Sequence, residues 1–563
     1  MARDGSPRPR LLLTSPCRPF PRIAGFACTD QMAFRLTRGQ GLFCLYEHTH
    51  YAGLHLIAQN LSEPSVLLEN PTMDQLRQEL RTGYQWVGIS FKIWHMERLR
   101  EMCRMIRSEF PATRIVIGGY GAVCAPHILG DPEWRGLVDE ICAGEGIRFM
   151  RRLLGEPEDA EITCCAPRIG STLPWLNPRA VGTIGIVLSG LGCETRCPFC
   201  VTSYSTRGRY VEVLDAAGIH RAMRGYWARG VQSATIYDEN FLDQKEKVSA
   251  LGRLLRQDGD FGLRRYNYFA FGSARAVARY EPEELVLNGL DTLWIGVESK
   301  FSRLPKLAGS DLGQTFRDLH RVGIKTVGST IVGDDYHTPQ NIEEDIDYFV
   351  SLDPTFQQVS ILTVVPPLPL WQRMRREGRL PPRVAWEDYH LYGHTLVYKN
   401  FQHSQLLEEV EKAYRRIYQE NGPAVLKALE VNLNGWEFCA RSRRSALRRD
   451  KIHYFRSRCD SYYPFLRTGI EMAPSPRVRR RLEDLRARWQ ALLGPPSAQQ
   501  KMMEEAILRR AEQALPHLES LPPREEPFRR YTYGPRDRRP VGRPYQVEYP
   551  EGDPFVSAPA ARV

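Results

Sequence analysis

The chain has 563 residues, a formal net charge of +11 at pH 7 and 42% hydrophobic residues. Such a composition is typical of globular proteins and excludes a fibrous or wholly disordered chain, and the length allows two to four domains. No apolar run is long enough to cross a bilayer, and the three leucines at 11–13 are too few for a signal-peptide core. Thirteen cysteines without a secretory pattern predict a reducing compartment, so we expect a cytoplasmic location.

Residues 40–160 follow an N-terminal extension at 1–39 and alternate short apolar runs with amphipathic stretches. The apolar runs lie at 42–46, 65–68, 86–91, 114–117 and 138–143, and helical stretches include 73–82 and 96–110. Five strands with crossover helices predict a flavodoxin-like, doubly wound parallel sheet, which binds ligands at the carboxyl ends of its strands.

Three strand ends in this unit carry small or glycine-rich turns. The residues concerned are Ser90, Gly118, Gly119, Gly144, Glu145 and Gly146. Glycine lets a backbone approach a large ligand closely and adopt positive φ, although any tight turn favours glycine for steric reasons as well.

A loop with three cysteines, Cys193, Cys197 and Cys200, follows the apolar run at 184–188. Its C-x3-C-x2-C spacing can direct three thiolates to one iron-sulfur cube and leave the fourth iron open to a small molecule. A closed zinc site requires four ligands, and no fourth cysteine or histidine lies in the loop or just beyond it. An odd number of clustered cysteines also disfavours disulfides, so the loop predicts an iron-sulfur centre.

A second alternating series extends over 175–375. Its predicted strands lie at 183–188, 233–237, 266–273, 293–297, 326–332 and 359–365, with helices at 216–228, 246–256, 311–321 and 341–352. In a barrel of parallel strands the chemistry takes place at the carboxyl ends.

The cysteine spacing, with Phe199 just before the last cysteine, resembles the radical S-adenosylmethionine (SAM) superfamily. The six β/α units resemble its partial (β/α)6 TIM-like barrel. The runs at 87–91, 115–119 and 138–146 resemble the domain that precedes this barrel in cobalamin-dependent radical SAM enzymes. The resemblance covers about 40–420, and it implies three cofactors: a [4Fe-4S] cluster on the three cysteines, SAM, and cobalamin on the strand-end turns.

The resemblance also implies which barrel residues contact SAM. They are Asp238 and Glu239 near its amino group, Glu298 and Ser299 near the ribose, and Ile331, Gly333 and Phe199 near the adenine. The alternatives are a turn with a helix cap for Asp238 and Glu239, and simple packing of the loop for Phe199.

Many cobalamin domains supply an axial histidine to cobalt from an Asp-x-His-x-x-Gly turn. Here the corresponding segment has His50 and Gly53 in place, but His48 where the aspartate belongs. Because the imidazole then lacks its usual carboxylate partner, we expect cobalamin without a histidine ligand and an ordinary role for His50.

The C-terminal part divides into a predicted helical extension at 376–520, which relatives use to cover the barrel mouth, and a tail at 521–563. The tail is rich in arginine and proline and is predicted to be disordered. The late basic residues form a solvated helix face, or they attract an anionic lipid or nucleic acid. No motif predicts nucleic-acid binding.

The resemblance implies a methyltransferase that acts on a weakly activated carbon of a lipid or natural-product intermediate. It implies an external electron donor of the flavodoxin or ferredoxin type. An oxidative cyclase or rearrangement enzyme with the same cofactors is the alternative, and a corrinoid or iron-sulfur sensor is a further one. The sequence assigns no catalytic residue and does not identify the substrate.

Overall fold

The first of two large sheets is flavodoxin-like, as predicted. The structure is a computed structural model that describes residues 10–23, 26–27, 32–48, 50–164, 168–518 and 526–534. In spatial order the strands of this sheet are Arg529–Tyr533, Ser65–Glu69, Leu11–Thr14, Trp86–Ser90, Arg114–Gly118 and Glu140–Cys142. The last five are parallel and give the order 2-1-3-4-5 of a doubly wound fold.

The predicted first strand at 42–46 is wrong. Gly41–Phe43 form a 3-10 turn and Tyr46–His48 a short strand of the other sheet, whereas Leu11–Thr14 is the first strand of the flavodoxin-like sheet. The sheet therefore begins inside the extension predicted at 1–39. A strand buried on both faces appears as a short continuous apolar run, and the three leucines fit that pattern.

The tail predicted to be disordered contains a strand. Arg529–Tyr533 pairs antiparallel with Ser65–Glu69 at the edge of the first sheet. Its burial alternates along the strand, because Arg529, Tyr531 and Tyr533 face inward. The prediction at 529–533 was wrong since it used the arginine content and overlooked this two-residue period. Residues 535–563 of the tail and 1–9 of the extension lie outside the described residues.

The second sheet is the partial barrel. Its six parallel strands, in spatial and chain order, are Asn177–Leu188, Ser233–Tyr237, Asn267–Phe271, Leu290–Glu298, Lys325–Val332 and Phe356–Ile361. On the side of the first strand the sheet has two more strands. Ile169–Leu173 pairs antiparallel with the first barrel strand, and Tyr46–His48 pairs antiparallel with Ile169–Leu173. The structure confirms the predicted six-unit α/β arrangement.

Helices cover both sheets and form the C-terminal part. Around the first sheet they are Ala52–Gln59, Met73–Leu80, Met96–Glu109, Ala125–Gly130 and Gly146–Leu154. Along the barrel they are Val201–Ser205, Ala216–Trp227, Lys245–Gln257, Phe261–Arg264, Ala274–Val277, Pro282–Leu287, Leu312–Arg321, Ile342–Ser351 and Pro369–Arg376. The C-terminal helices are His403–Asn421, Ala424–Arg441, Ile452–Tyr462, Leu466–Glu471, Pro476–Leu493 and Ala498–Ala514. None of the described helices combines the length and apolar character needed to cross a membrane.

Candidate functional site

The cysteine loop begins with a glycine that no other residue can replace without a shift. Gly192 has a φ of +84°, and a Cβ there would lie 2.0 Å from the Thr206 hydroxyl oxygen and 2.3 Å from the Arg209 carbonyl oxygen. At the other end of the loop, the Cys200 N–H donates to the Cys197 carbonyl at 3.0 Å. The loop is thus folded back against the segment that follows it, with its three cysteines in between.

The three thiols of this loop are free and differ in burial. Cys197 is 6% exposed, and burial raises the pKa of its thiol to about 11, opposed by the charge of Lys306.

A buried ion pair lies beside the loop. Lys306 contacts the carboxylate of Glu298, and its ammonium also interacts with the thiols of Cys197 and Cys200. Glu298 ends the fourth barrel strand with a φ of +61°, which non-glycine residues rarely adopt and which is typical of ligand sites. Burial lowers the pKa of the Lys306 ammonium, but the charges of Glu298 and the thiols outweigh it and raise the pKa overall.

Glu239 connects the cysteine loop to the first sheet. One carboxylate oxygen accepts the Gly192 N–H at 2.9 Å, and the other accepts the Tyr120 hydroxyl at 2.8 Å. Tyr120 comes directly after Gly119, at the end of a strand in the flavodoxin-like sheet. Burial raises the pKa of Glu239, and Tyr120 opposes that rise. Tyr120 nevertheless remains 44% exposed.

Asp238 lies next to Glu239 but is directed inward. It is 1% exposed, and its Oδ2 accepts the hydroxyls of Ser189 at 2.8 Å and Tyr210 at 2.7 Å. Burial raises the pKa of this carboxyl, and the two hydroxyl donors oppose the rise. The structure therefore commits the Asp238 carboxylate to joining the ends of the first two barrel strands.

Ser299 and Gly333 meet at a buried histidine. The Gly333 N–H donates to His337 Nδ1 at 3.2 Å, so the ring proton is on Nε2, which lies 2.8 Å from an Asp345 oxygen. Ser299 Oγ lies 3.4 Å from the same Nε2. The Cα of Gly333 is covered by Leu406, to whose Cδ1 an added Cβ would come within 2.8 Å. Because Gly333 has no side chain, a ligand can contact only its backbone.

Two further predicted residues border the barrel core. Ile331 is partly buried within the fifth strand, and Phe199 is partly buried next to Cys200 in the cysteine loop. Both pack against the apolar core of the barrel. For Phe199, packing of the loop is the alternative to an adenine contact that the sequence left open.

The glycine turns of the first sheet differ in what requires them. A Cβ on Gly119, where φ is +93°, would lie 2.8 Å from the Ser90 hydroxyl oxygen, so internal packing explains this glycine. Gly118 faces the Cys142 Cβ at 3.3 Å. Gly144 has a φ of +130°, and a Cβ there would have no other heavy atom within 4 Å, so the space around this residue is open.

Glu145 and Gly146 begin the helix Gly146–Leu154. The Glu145 carboxylate accepts the N–H groups of Ile147 at 2.6 Å and Arg148 at 2.9 Å, which makes it a helix cap. A Cβ on Gly146 would approach only the end of the Ile57 side chain, at 2.8 Å. Because the Glu145 carboxylate is used in the helix cap, a ligand at this turn would contact the backbone and not this side chain.

The expectation that His50 lacks a carboxylate partner is wrong. His50 Nδ1 lies 2.9 Å from Glu69 Oε2, and Glu69 ends a strand of the first sheet. The position of the aspartate in the turn motif holds His48, and the carboxylate comes instead from a residue 19 positions after His50.

Four site residues were not predicted from the sequence: Tyr120, Lys306, His337 and Asp345. Tyr120 had a local signal, since it continues the Gly118-Gly119 turn. The other three lie in loops or helices whose approach to the strand ends depends on the fold, and short polar motifs in a barrel mouth are too common to mark them.

Comparisons with known proteins find relatives of low identity. An uncharacterised methyltransferase of Pyrococcus horikoshii is 24% identical over 261 residues, which cover 44% of this chain and 54% of the relative, so the match spans about half of that relative. The bacteriochlorophyllide d C-12(1)-methyltransferase of Chlorobaculum tepidum is 23% identical over 396 residues, 66% of this chain and 82% of the relative. No family model matches.

A solved structure shares the fold. It is the radical SAM methyltransferase TsrM from Kitasatospora setae with cobalamin and a [4Fe-4S] cluster bound, at a TM-score of 0.50 and 16% identity. The alignment covers 80% of this chain and 99% of that one. The likeness includes both the flavodoxin-like sheet and the partial barrel in one chain.

Proposed function

We propose that this protein is a cobalamin-dependent radical SAM methyltransferase that acts on a weakly activated carbon. The observation that carries the proposal is the bridge at Glu239, which holds Gly192 of the cysteine loop and Tyr120 of the first sheet on one carboxylate. The bridge thus joins the carboxyl end of a strand in each α/β unit, and such ends are where folds of both kinds bind ligands.

The donor sets fit the proposed groups. Three free cysteines on one loop suit an iron-sulfur cube with an open iron. The strand ends beside Gly119 and Gly144 suit a large ligand on the flavodoxin-like sheet. When bound, the cluster with SAM supplies a hydrogen-abstracting radical and cobalamin supplies the methyl group.

The chain's own residues position these groups and exclude water. Glu298 and Lys306 set a fixed pair of charges beside the loop, and Glu239 orients its first N–H. Barrel-end groups of this kind are preorganised, so they need no rearrangement during the reaction.

The substrate class we propose is a lipid or natural-product intermediate, consistent with the bacteriochlorophyllide in the name of one relative. An external flavodoxin- or ferredoxin-type donor would supply electrons in the cytoplasm, and a peripheral membrane contact would give access to apolar substrates.

Product analysis tests the reaction. With reductant, cobalamin and substrate, we expect 5′-deoxyadenosine and S-adenosylhomocysteine in about equal amounts, because each turnover needs one radical and one methyl group. Deoxyadenosine without S-adenosylhomocysteine, together with a rearranged but unmethylated product, would contradict methyl transfer and favour the oxidative cyclase.

Replacement of the loop cysteines tests the cluster. Protein reconstituted without oxygen is expected to hold four irons per chain, and the combined Cys193→Ala, Cys197→Ala and Cys200→Ala variant to hold none and to leave SAM intact. Cys439→Ala is the matched control, since this buried free thiol lies in the C-terminal helix Ala424–Arg441. Iron and sulfide retained by the triple variant would overturn the assignment.

A further inference from the structure

Three buried side chains converge beneath the C-terminal strand, away from the cysteine loop. His50 lies just before the helix Ala52–Gln59, His55 within it, and Glu69 at the end of the strand Ser65–Glu69. Their side chains are 2%, 0% and 0% exposed. Each offers one ligand atom, and these atoms all lie within 4.8 Å of one another.

The spacing of the donor atoms is close to that of a metal site. His50 Nδ1 is 2.9 Å from one Glu69 oxygen, and His55 Nε2 is 3.0 Å from the other. Ligands on a tetrahedral ion with bonds of 2.0–2.2 Å are roughly 3.4 Å apart. The two contacts would have to open by only a few tenths of an ångström. Without an ion they are hydrogen bonds in which each imidazole donates to the carboxylate.

The surroundings provide the outer partners that metal ligands need. His55 Nδ1 pairs with the Tyr533 hydroxyl, which directs Nε2 towards Glu69. The Tyr51 N–H donates to Glu69 Oε1 at 2.6 Å. The Tyr531 hydroxyl lies 3.4 Å from Glu69 Oε2 and 3.5 Å from His50 Nδ1, where it can complete a fourth position.

Arg529 is the cation that already approaches this group. Its guanidinium lies 3.5 Å from Glu69 Oε2 and is shared with Glu526 at 3.3 Å. The imidazole contacts with Glu69 are shorter than this. A divalent ion would therefore replace the two imidazole protons between the rings and the carboxylate, while Arg529 keeps its outer contact.

We propose that His50, His55 and Glu69 bind one divalent transition-metal ion and that this ion fastens the strand Arg529–Tyr533 to the first sheet. Two imidazoles and a carboxylate suit zinc, which takes nitrogen and oxygen ligands in tetrahedral geometry. A site closed by buried side chains is typical of structural rather than catalytic zinc. Glu69 lies two strands from Ser90 in the sheet order, at the same carboxyl edge of the sheet.

Elemental analysis of the holoenzyme tests the site. After equilibration with zinc and removal of loosely bound ions, we expect one zinc per chain in addition to iron and cobalt. The triple cysteine variant should retain that zinc, and X-ray absorption at the zinc edge should show nitrogen and oxygen ligands without sulfur. A holoenzyme free of zinc, or zinc with sulfur ligands, would overturn the proposal.

Single substitutions locate the ion. His50→Gln and His55→Gln should each weaken zinc binding at least tenfold, and a chelator should lower the melting temperature of the wild type but not of these variants. His453→Gln is the control, because this histidine is exposed. Wild-type affinity in both site variants would show that the group is a hydrogen-bond network around Glu69 and contains no metal.

Discussion

At the scale of single residues, the charge of Lys306 is the feature with the clearest chemical effect. Its ammonium contacts the Glu298 carboxylate and interacts electrostatically with the thiols of Cys197 and Cys200. A cluster gains negative charge when it is reduced, so a fixed positive charge nearby stabilises the reduced form. The negative charge of Glu298 has the opposite effect, so the two charges together determine how strongly the reduced form is stabilised.

Removal of one charge at a time should move the cluster potential in opposite directions. Lys306→Met should lower the reduction potential by about 60 mV or more, equivalent to ~1.4 kcal/mol, whereas Glu298→Gln should raise it. Lys306→Arg keeps the charge and serves as the control. Redox titration followed by electron paramagnetic resonance measures the shift, and equal potentials in all variants would show that the pair has only a packing role.

The same two residues show what a sequence can predict at this scale. Glu298 was predicted because it follows an apolar run that matches the fourth barrel strand of the family that the sequence resembles. Lys306 lies eight residues later in a 3-10 turn, and nothing local indicates that the loop returns to the cysteines. Asp238 was also predicted, but its inward orientation depends on Ser189 and Tyr210, which come from other parts of the chain.

At the scale of elements, the strand Arg529–Tyr533 combines two different faces. Tyr531 is 0% exposed and belongs to the core of the first sheet, whereas Thr532 is exposed. The exposed Arg530 pairs with Glu79 on the helix Met73–Leu80. The strand therefore forms the outer edge of the sheet, with its tyrosines in the core and its polar groups towards solvent.

Substitutions on the two faces should differ in their effect on stability. Tyr531→Ala should cost about 3 kcal/mol through the lost burial and lower the melting temperature by roughly 5 °C or more. Thr532→Ala on the same strand should change it by less than about 1 °C. Scanning calorimetry distinguishes the two, and a similar small change for both would mean that the strand is not packed as described.

The two strands that the sequence misassigned have a common cause. Leu11–Thr14 and Arg529–Tyr533 are short and lie far along the chain from the repeats they complete. The regular alternation from 65 to 154 and from 183 to 361 was sufficient for the fold class. Elements outside that alternation are selected by the place in the sheet that they fill, which is central for Leu11–Thr14 and at the edge for Arg529–Tyr533, and this information is tertiary.

At the scale of the whole molecule, the two α/β units are joined near the site. Besides the bridge at Glu239, the Cys124 thiol contacts the Pro366 carbonyl at 3.1 Å after the last barrel strand. Val365, Leu368 and Tyr389 belong to the same apolar core as one face of the first sheet. The packed core holds the units together, while the polar bridge sets how their strand ends face each other.

Loss of the bridge should affect turnover more than cofactor loading. Tyr120→Phe and Glu239→Gln should each slow product formation by roughly 10- to 100-fold, since a hydrogen bond to a charged group contributes about 1.5–3 kcal/mol. Iron and cobalamin contents should stay near those of the wild type. Loss of either cofactor in Tyr120→Phe would show that the hydroxyl supports binding instead of alignment.

The antiparallel edge strand also has a consequence for biosynthesis. Arg529 pairs with Glu69, 460 positions earlier in the chain. At a translation rate of about 5–20 residues per second, a ribosome needs roughly 20 to 90 s to make the intervening segment. During that time Ser65–Glu69 presents an open edge of hydrogen-bonding groups, which is a target for aggregation or chaperones. The flavodoxin-like unit is therefore completed only after the barrel has been synthesised.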